Sequence, residues 1–235
     1  MTSRAKDQAR VNDINRTNVK MVSTHCGLSV GEDGPTHQAI DDMSSFKPFF
    51  HTFVCEPADP NHTDRMIRYA ATRYGNFYIR MGRHKISALL DEKGKPFFGT
   101  SYEYEHGKCD LFRSGKAITI VASGSCVAEA LKAREISGID AEIIIASSPQ
   151  KFDSVLEKSL RKTKKVIVVE DHTSAGYGAG VSFFAAEKNI PLSFFKSLSV
   201  EEYQLSGKVE ELYKAAGIDS EAIVDAMGEA QKLKS

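Results

Sequence analysis

The sequence predicts an α/β protein in which parallel strands are covered by helices on both faces. Short runs of apolar and β-branched residues recur along the chain, and stretches of about 10 to 15 residues with helical periodicity separate them. Glycine, proline and aspartate stand at most of the junctions. Strands that alternate with helices in this way are typical of parallel sheets.

The first half of the chain is predicted to contain three strands and two helices. The predicted strands comprise residues 19–24, 49–55 and 77–81, and the predicted helices comprise residues 35–43 and 63–74. A hairpin turn is predicted at residues 91–96, beyond which the pattern becomes polar. We therefore predict two domains, which comprise residues 1–105 and 106–235.

The second half is predicted to begin a new series of strands and helices. The predicted strands comprise residues 117–122, 141–146, 165–170 and 192–197, and the predicted helices comprise residues 126–137, residues 153–162, a segment ending near residue 189 and two closing helices. The loop at residues 175–180 has a glycine at every second position, which differs from the spacing of a dinucleotide-binding loop. It is interpreted as a close contact between helix and sheet.

The composition excludes several classes of partner. The 235 residues include 31 basic and 31 acidic side chains, so no net charge attracts nucleic acid or an anionic membrane. No apolar stretch approaches the roughly 20 residues that span a bilayer, and the first ten residues are polar, which predicts a cytoplasmic protein. The widely spaced Cys26, Cys55, Cys109 and Cys126 indicate reduced thiols.

The richest polar segment comprises residues 31–38, GEDGPTHQ, together with His25 six residues earlier. It follows the first predicted strand, and loops at the carboxyl ends of parallel strands are the usual ligand sites of such sheets. A second polar cluster, at residues 80–85, follows the third predicted strand. These two loops are the candidate functional site.

Simpler interpretations of the same residues remain open at this point. Asp33 lies between glycines, where aspartate is often only a turn residue or a helix cap. The cluster at residues 80–85 is also typical of a solvated charged surface. His25 and His37 are twelve residues apart across a turn, which is no standard metal-ligand spacing, so we predict no metal site there.

Residues 24–38, THCGLSVGEDGPTHQ, closely resemble the signature of the transketolases. These enzymes use thiamine diphosphate to transfer two-carbon ketol units between sugar phosphates. Further similar segments are EPAD at residues 56–59, YIRMGR at 78–83, VVEDH at 168–172 and SGK at 206–208. The related deoxyxylulose phosphate synthases share the core of the signature, but they usually carry an Asp-Arg pair in place of Thr24 and His25.

The resemblance implies a fold and a set of roles. The implied fold is a partial pyrimidine-binding domain with a parallel sheet, followed by a three-layer α/β/α transketolase C-terminal domain. His37 would contact the oxygens at the reacting centre, and Asp33 would accept a hydrogen bond from the adjacent sugar hydroxyl. His25 and Arg83 would bind the distal phosphate. Arg80 is a second phosphate candidate, although a structural ion pair is an equal alternative for it.

The chain departs from the family pattern in one important respect. The glutamate that activates the cofactor, its neighbouring aromatic cluster and the diphosphate-binding domain all precede the region of resemblance. Thiamine diphosphate and Mg²⁺ are therefore expected only in a completed enzyme, bound mostly by the missing part, and the chain is expected to be inactive alone. The expected partners are an N-terminal transketolase chain and sugar phosphates, in a homo- or hetero-oligomer.

Three interpretations of the whole chain follow. It is a subunit or a truncated C-terminal part of a transketolase, a non-catalytic dimerisation or regulatory module, or a fragment of an enzyme similar to deoxyxylulose phosphate synthase. The length of the signature match favours the first interpretation.

Overall fold

A computed structural model describes residues 2–233, which contain two separate β-sheets. The elements of the first half are α1 (Thr2–Ile14), β1 (Lys20–Ser23), a 3-10 helix (Gly27–Asp33), α2 (Asp42–Phe46), β2 (Thr52–Cys55), α3 (Pro60–Thr72) and β3 (Asn76–Arg80). The three strands are parallel, and β3 lies between β1 and β2. The carboxyl ends of β1 and β3, which carry the candidate site, therefore lie side by side.

The second half forms a five-stranded sheet in the order β4-β6-β5-β7-β8. Its elements are β4 (Cys109–Arg113), β5 (Ile118–Ala122), α4 (Cys126–Ser137), β6 (Ala141–Ala146), α5 (Ser154–Thr163), β7 (Lys165–Val169), α6 (Tyr177–Glu187), β8 (Phe194–Leu198), α7 (Val209–Ala216) and α8 (Ser220–Lys232). Strands β5 to β8 are parallel, as the alternating pattern predicts, and β4 is antiparallel to β6.

Three elements were absent from the sequence prediction, namely α1, the 3-10 helix and β4. Helix α1 is polar and buries only Ala9 and Asp13, so it has no apolar stripe that a periodicity argument detects. The Asp13 carboxylate accepts hydrogen bonds from the amides of Phe50 and His51, which ties α1 to the chain before β2. Strand β4 is short and carries charged residues at two of its five positions, which obscures the strand pattern.

The predicted helix over residues 35–43 is wrong for residues 35–41, and only its last two residues, Asp42 and Met43, are helical. The helical residues are instead those of the 3-10 helix and of α2. Residues 35–39 return towards the start of the loop, because Cys26 bridges to Ala39 and the amide of Gly27 donates to the carbonyl of Ala39. Residues 26–39 thus form a closed loop, which we call the signature loop.

The hydrophobic packing joins the two halves of the chain. One buried cluster places Leu28 and Leu89 with Ile120 of β5 and Ile145 of β6. A second cluster places Tyr78 of β3 with side chains of the second sheet, Val121, Ile144 and Val168 among them. The predicted boundary near residue 105 lies in the irregular segment between β3 and β4. The packing of Leu28 therefore holds the signature loop against the second sheet.

Within residues 2–233, no helix is both long enough and apolar enough to cross a membrane.

Candidate active site

His25 and His37 line a common cleft at the carboxyl end of β1. The cleft has a volume of about 520 Å³ and is also bordered by Thr24, Thr36 and the first turn of α1. Each imidazole Nδ1 lies within hydrogen-bonding distance of a neighbouring threonine hydroxyl, at 2.9 Å for His25 and 3.0 Å for His37. Both side chains are exposed to solvent. Two imidazoles in one open cleft can bind an anion or exchange protons with a ligand.

The backbone at His25 adopts an unusual conformation. Its φ is 62°, in the left-handed region that residues other than glycine rarely occupy. The next residue, Cys26, donates its amide to the carbonyl of Met81, just after β3, which holds the chain in this turn. Such backbone conformations persist where surrounding contacts impose them, and they concentrate at functional sites.

Asp33 and Arg83 form an ion pair beside the signature loop. Arg83 Nη1 donates to Asp33 Oδ2 at 2.9 Å and to the carbonyl of Val30, also at 2.9 Å. The amide of Arg83 donates to Ser29 Oγ, which in turn donates to the carbonyl of Cys26. The structure therefore brings Asp33 together with Arg83, and neither of them lines the cleft of His25 and His37.

Arg80 lies in the interior, where only 2% of its surface is exposed. Its Nε donates to Asp42 at 3.0 Å, Nη1 pairs with Glu56, and Nη2 donates to the carbonyls of Asp171 and Ala39. Although burial opposes the charge, the carboxylates of Asp42 and Glu56 raise the pKa of Arg80 well above its usual value. The structure thus shows the ion pair that was one of the two roles open for Arg80, and each guanidinium nitrogen already has an acceptor inside the protein.

The second half of the chain contacts the signature loop directly, which sequence reasoning missed. Asp171 accepts a hydrogen bond of 2.8 Å from the amide of Leu28. Burial raises the pKa of the Asp171 carboxyl to about 6. The VVEDH segment carries a family resemblance, but nothing local to it indicates a contact with a loop 143 residues away.

The cysteines of the described chain offer no activated nucleophile. All four cysteines are free and buried, and burial raises the pKa of Cys26 to about 12, so a thiolate nucleophile beside His25 is disfavoured. Within residues 2–233, no group of three or more His, Cys, Asp or Glu side chains is placed to bind a metal ion.

Two protein-family models match the chain. The transketolase pyrimidine-binding domain matches residues 1–87, and the transketolase C-terminal domain matches residues 107–223. A putative transketolase C-terminal section from Methanocaldococcus jannaschii is 33% identical over 92% of this chain and 67% of its own length. The chain belongs to the transketolase family. The predicted order of a pyrimidine-type domain followed by a transketolase C-terminal domain is confirmed.

Other relatives indicate which part of a transketolase this is. One subunit of an apulose-4-phosphate transketolase from Actinobacillus succinogenes is 31% identical over 96% of this chain and 72% of its own length. The mouse transketolase is also 31% identical over 96% of this chain, which spans only 36% of that enzyme. The chain therefore corresponds to the C-terminal part of a transketolase.

Solved structures agree with this assignment. A split-gene transketolase, described as an inactive β4 tetramer, superposes with a TM-score of 0.84 at 27% identity and covers 98% of this chain and 74% of that one. The transketolase of Campylobacter jejuni superposes with a TM-score of 0.72 at 21% identity, over 97% of this chain and 34% of that enzyme, and supports the fold.

Proposed function

We propose that this chain is the C-terminal subunit of a split transketolase. In this proposal it supplies substrate-binding and proton-transfer groups to the thiamine diphosphate-dependent transfer of two-carbon ketol units between sugar phosphates. The observation that carries the proposal is the open cleft lined by His25 and His37 at the carboxyl end of β1. A purely structural relic has no need to keep two solvent-facing imidazoles in one cleft.

The proposed roles follow from the chemistry of each group. His37 exchanges a proton with the hydroxyl or carbonyl oxygen at the reacting centre, a role that suits an imidazole. Asp33 accepts a hydrogen bond from the adjacent sugar hydroxyl. His25 and Arg83 bind the distal phosphate, for which the planar guanidinium of Arg83 offers two parallel donors. Arg80 is left out of this proposal, because each of its guanidinium nitrogens already donates to an acceptor inside the protein.

The residues described here do not by themselves fit the metal-bound cofactor. Thiamine diphosphate, when bound, would supply the electron sink that ketol transfer requires. Its diphosphate needs a Mg²⁺ site of oxygen ligands, and residues 2–233 offer no suitable cluster of acidic side chains. We therefore assign the cofactor and its metal mainly to a separate N-terminal transketolase chain.

The names of the relatives support a two-chain enzyme. One is called a C-terminal section, and another is called a subunit of a transketolase. The surface of this chain is compatible with such a partner, because β1 forms an edge of its sheet and Val22 on that strand is 41% exposed. Val11 and Ile14 of α1 are exposed as well. Exposed strand edges and apolar side chains mark surfaces that other chains cover.

The test is a ketol-transfer assay with thiamine diphosphate, Mg²⁺, a ketose phosphate donor and an aldose phosphate acceptor. The chain alone is compared with the chain mixed with an N-terminal transketolase chain from the same source. Activity only in the mixture, abolished by His37→Asn, supports the proposal. A mixture that forms a complex without activity overturns it in favour of a dimerisation or regulatory module.

A further inference from the structure

We propose that Asp171 is a positioning residue that holds the signature loop in its substrate-binding shape. The effect of Asp171 on catalysis rests on the proposed function, whereas the effect of Asp171 on the loop does not. Asp171 follows β7 in the second half of the chain, and it contacts neither His37 nor Asp33 through any hydrogen bond of the described structure. Its influence on the site therefore passes through the backbone of the loop.

Asp171 binds the signature loop at the start of the 3-10 helix. The amide of Leu28 lies in the first turn of the 3-10 helix, where amides have no partner within the helix. Asp171 Oδ1 accepts this amide at 2.8 Å, and both residues are buried. A buried amide without a partner is costly, so the carboxylate determines where the 3-10 helix begins.

Gly27 of the signature loop packs closely against the side chain of Asp171. Its φ is +69°, and a Cβ added there would lie 2.1 Å from Asp171 Oδ2. Only glycine leaves space for the carboxylate against the backbone and adopts this conformation without strain. The loop and Asp171 are thus complementary in shape as well as in hydrogen bonding.

Asp171 is itself held by the second half of the chain. Tyr213 of α7 donates its hydroxyl to Asp171 Oδ2 at 3.0 Å, and this hydroxyl lies 2.6 Å from Ser125 Oγ before α4. Arg80 Nη2 donates to the carbonyl of Asp171 at 2.6 Å. Because all of these groups lie on packed elements, the position of the carboxylate is set by the core and not by the loop.

Two further contacts act next to the proposed active-site residues. Gln38, adjacent to His37, exchanges hydrogen bonds of 2.9 and 3.1 Å with the backbone of Gln204. The Ser206 hydroxyl donates to the carbonyl of Glu32, which precedes Asp33. The second half of the chain therefore holds the loop through hydrogen bonds at three points, of which the bond from Leu28 to Asp171 is buried and the other two are half-buried or exposed.

The first experiment measures hydrogen–deuterium exchange in the isolated chain for peptides that cover the signature loop and β5. Asp171→Ala should accelerate exchange of the loop about tenfold or more, with β5 unchanged. Asp171→Asn keeps an oxygen for the Leu28 amide and should stay close to the unmodified chain. Asp219→Ala is the matched control, because Asp219 caps α8 through an equivalent bond to the Ala222 amide.

The outcomes separate the two proposals. Equal loop exchange in Asp171→Ala and the unmodified chain overturns the positioning role. If Asp171→Ala does not fold, Tyr213→Phe decides, because it removes only the hydroxyl that orients the carboxylate. Faster loop exchange in this variant, with β5 unchanged, supports the positioning role, and unchanged loop exchange overturns it.

The active mixture gives a second readout. Asp171→Ala should lower kcat/KM for ketol transfer about tenfold or more, and Asp171→Asn should restore most of it. Faster loop exchange with unchanged kcat/KM overturns the catalytic consequence. Faster loop exchange in Asp171→Ala together with an inactive unmodified mixture supports the positioning role and rejects the proposed function.

Discussion

Arg83 donates to Asp33 across 2.9 Å and joins the signature loop to the segment that follows β3. Each side chain of this ion pair is 41% exposed. Exposed pairs contribute only about 0–1 kcal/mol to stability, so this one opens at little cost. Arg83 is therefore held near the loop while its guanidinium stays available to an anion, and opening the pair leaves Asp33 able to accept from a hydroxyl.

Replacing Arg83 by glutamine should raise KM for the sugar phosphates about tenfold or more in the two-chain mixture. A charge-assisted hydrogen bond contributes about 1.5–3 kcal/mol, which accounts for that change. Arg83→Lys should be intermediate because it keeps the charge and loses the planar pair of donors. Arg68→Gln is the control, since Arg68 forms an exposed pair with Asp64 on α3. An unchanged KM would show that Arg83 serves only Asp33.

Replacing His37 by asparagine should lower kcat about 100-fold or more, as expected for the loss of a group that transfers protons. The free energy of unfolding should change by less than about 0.5 kcal/mol, because the side chain is exposed. His51→Asn provides a matched control at another exposed histidine, before β2. Comparable losses of kcat in both variants would contradict a specific role for His37.

Replacing Arg80 by methionine should destabilise the chain by about 3–5 kcal/mol, because Asp42 and Glu56 are then left buried without their partner. Chemical denaturation measures this loss. Arg161→Met removes an exposed pair with Glu157 on α5 and should cost less than about 1 kcal/mol. Equal effects of the two substitutions would show that the buried network is not needed for the fold.

His62, His106 and His172 should make the chain sensitive to acid. Burial lowers their pKa values to about 3, about 4 and about 4 respectively. An unfolded histidine has a pKa near 6.5, so between about that pH and 4 the unfolded chain binds protons that the folded chain does not. The stability that these groups provide is therefore fully present above about pH 6.5 and is lost as the pH falls.

His106 allows this effect to be tested at a single site. Burial and then the charge of Lys151 lower its pKa, and its ring lies within hydrogen-bonding distance of Ser148 and Cys55. The difference in unfolding free energy between about pH 6.5 and 4 should be smaller in His106→Asn than in the unmodified chain, by up to about 3 kcal/mol. Urea denaturation at several pH values measures it. Parallel pH profiles would contradict a lowered pKa at His106. The raised pKa of Asp171 acts in the opposite sense, because the stability that this carboxyl contributes is lost as the pH rises towards about 6. The informative quantity is therefore the difference between the pH profiles of His106→Asn and the unmodified chain.

The strands were the most predictable part of the fold. The buried runs of β5, β6 and β7 are short stretches of mostly apolar and β-branched residues, which are typical of strands covered on both faces. The signature loop was harder. Pro35 and the residues after it resemble a helix start, yet the bond from Gly27 to Ala39 closes the segment into a loop. That bond depends on a returning chain, which no short window of sequence reveals.

The site shows the same division. Its candidate residues could be named from the sequence, because His25, Asp33 and His37 lie in one contiguous motif. Which of these side chains lie together could not be predicted from the sequence. His25 and His37 share a cleft, whereas Asp33 pairs with Arg83, fifty residues along the chain.

The sequence by itself determined the alternation of strands and helices, the family resemblance and the position of the candidate loop, because these features depend on residues close together in the chain. Only the tertiary structure decided that Arg80 is an internal ion-pair partner and that Asp171 reaches the amide of Leu28. These contacts join residues that folding alone brings together, and burial then determines their energies and pKa values.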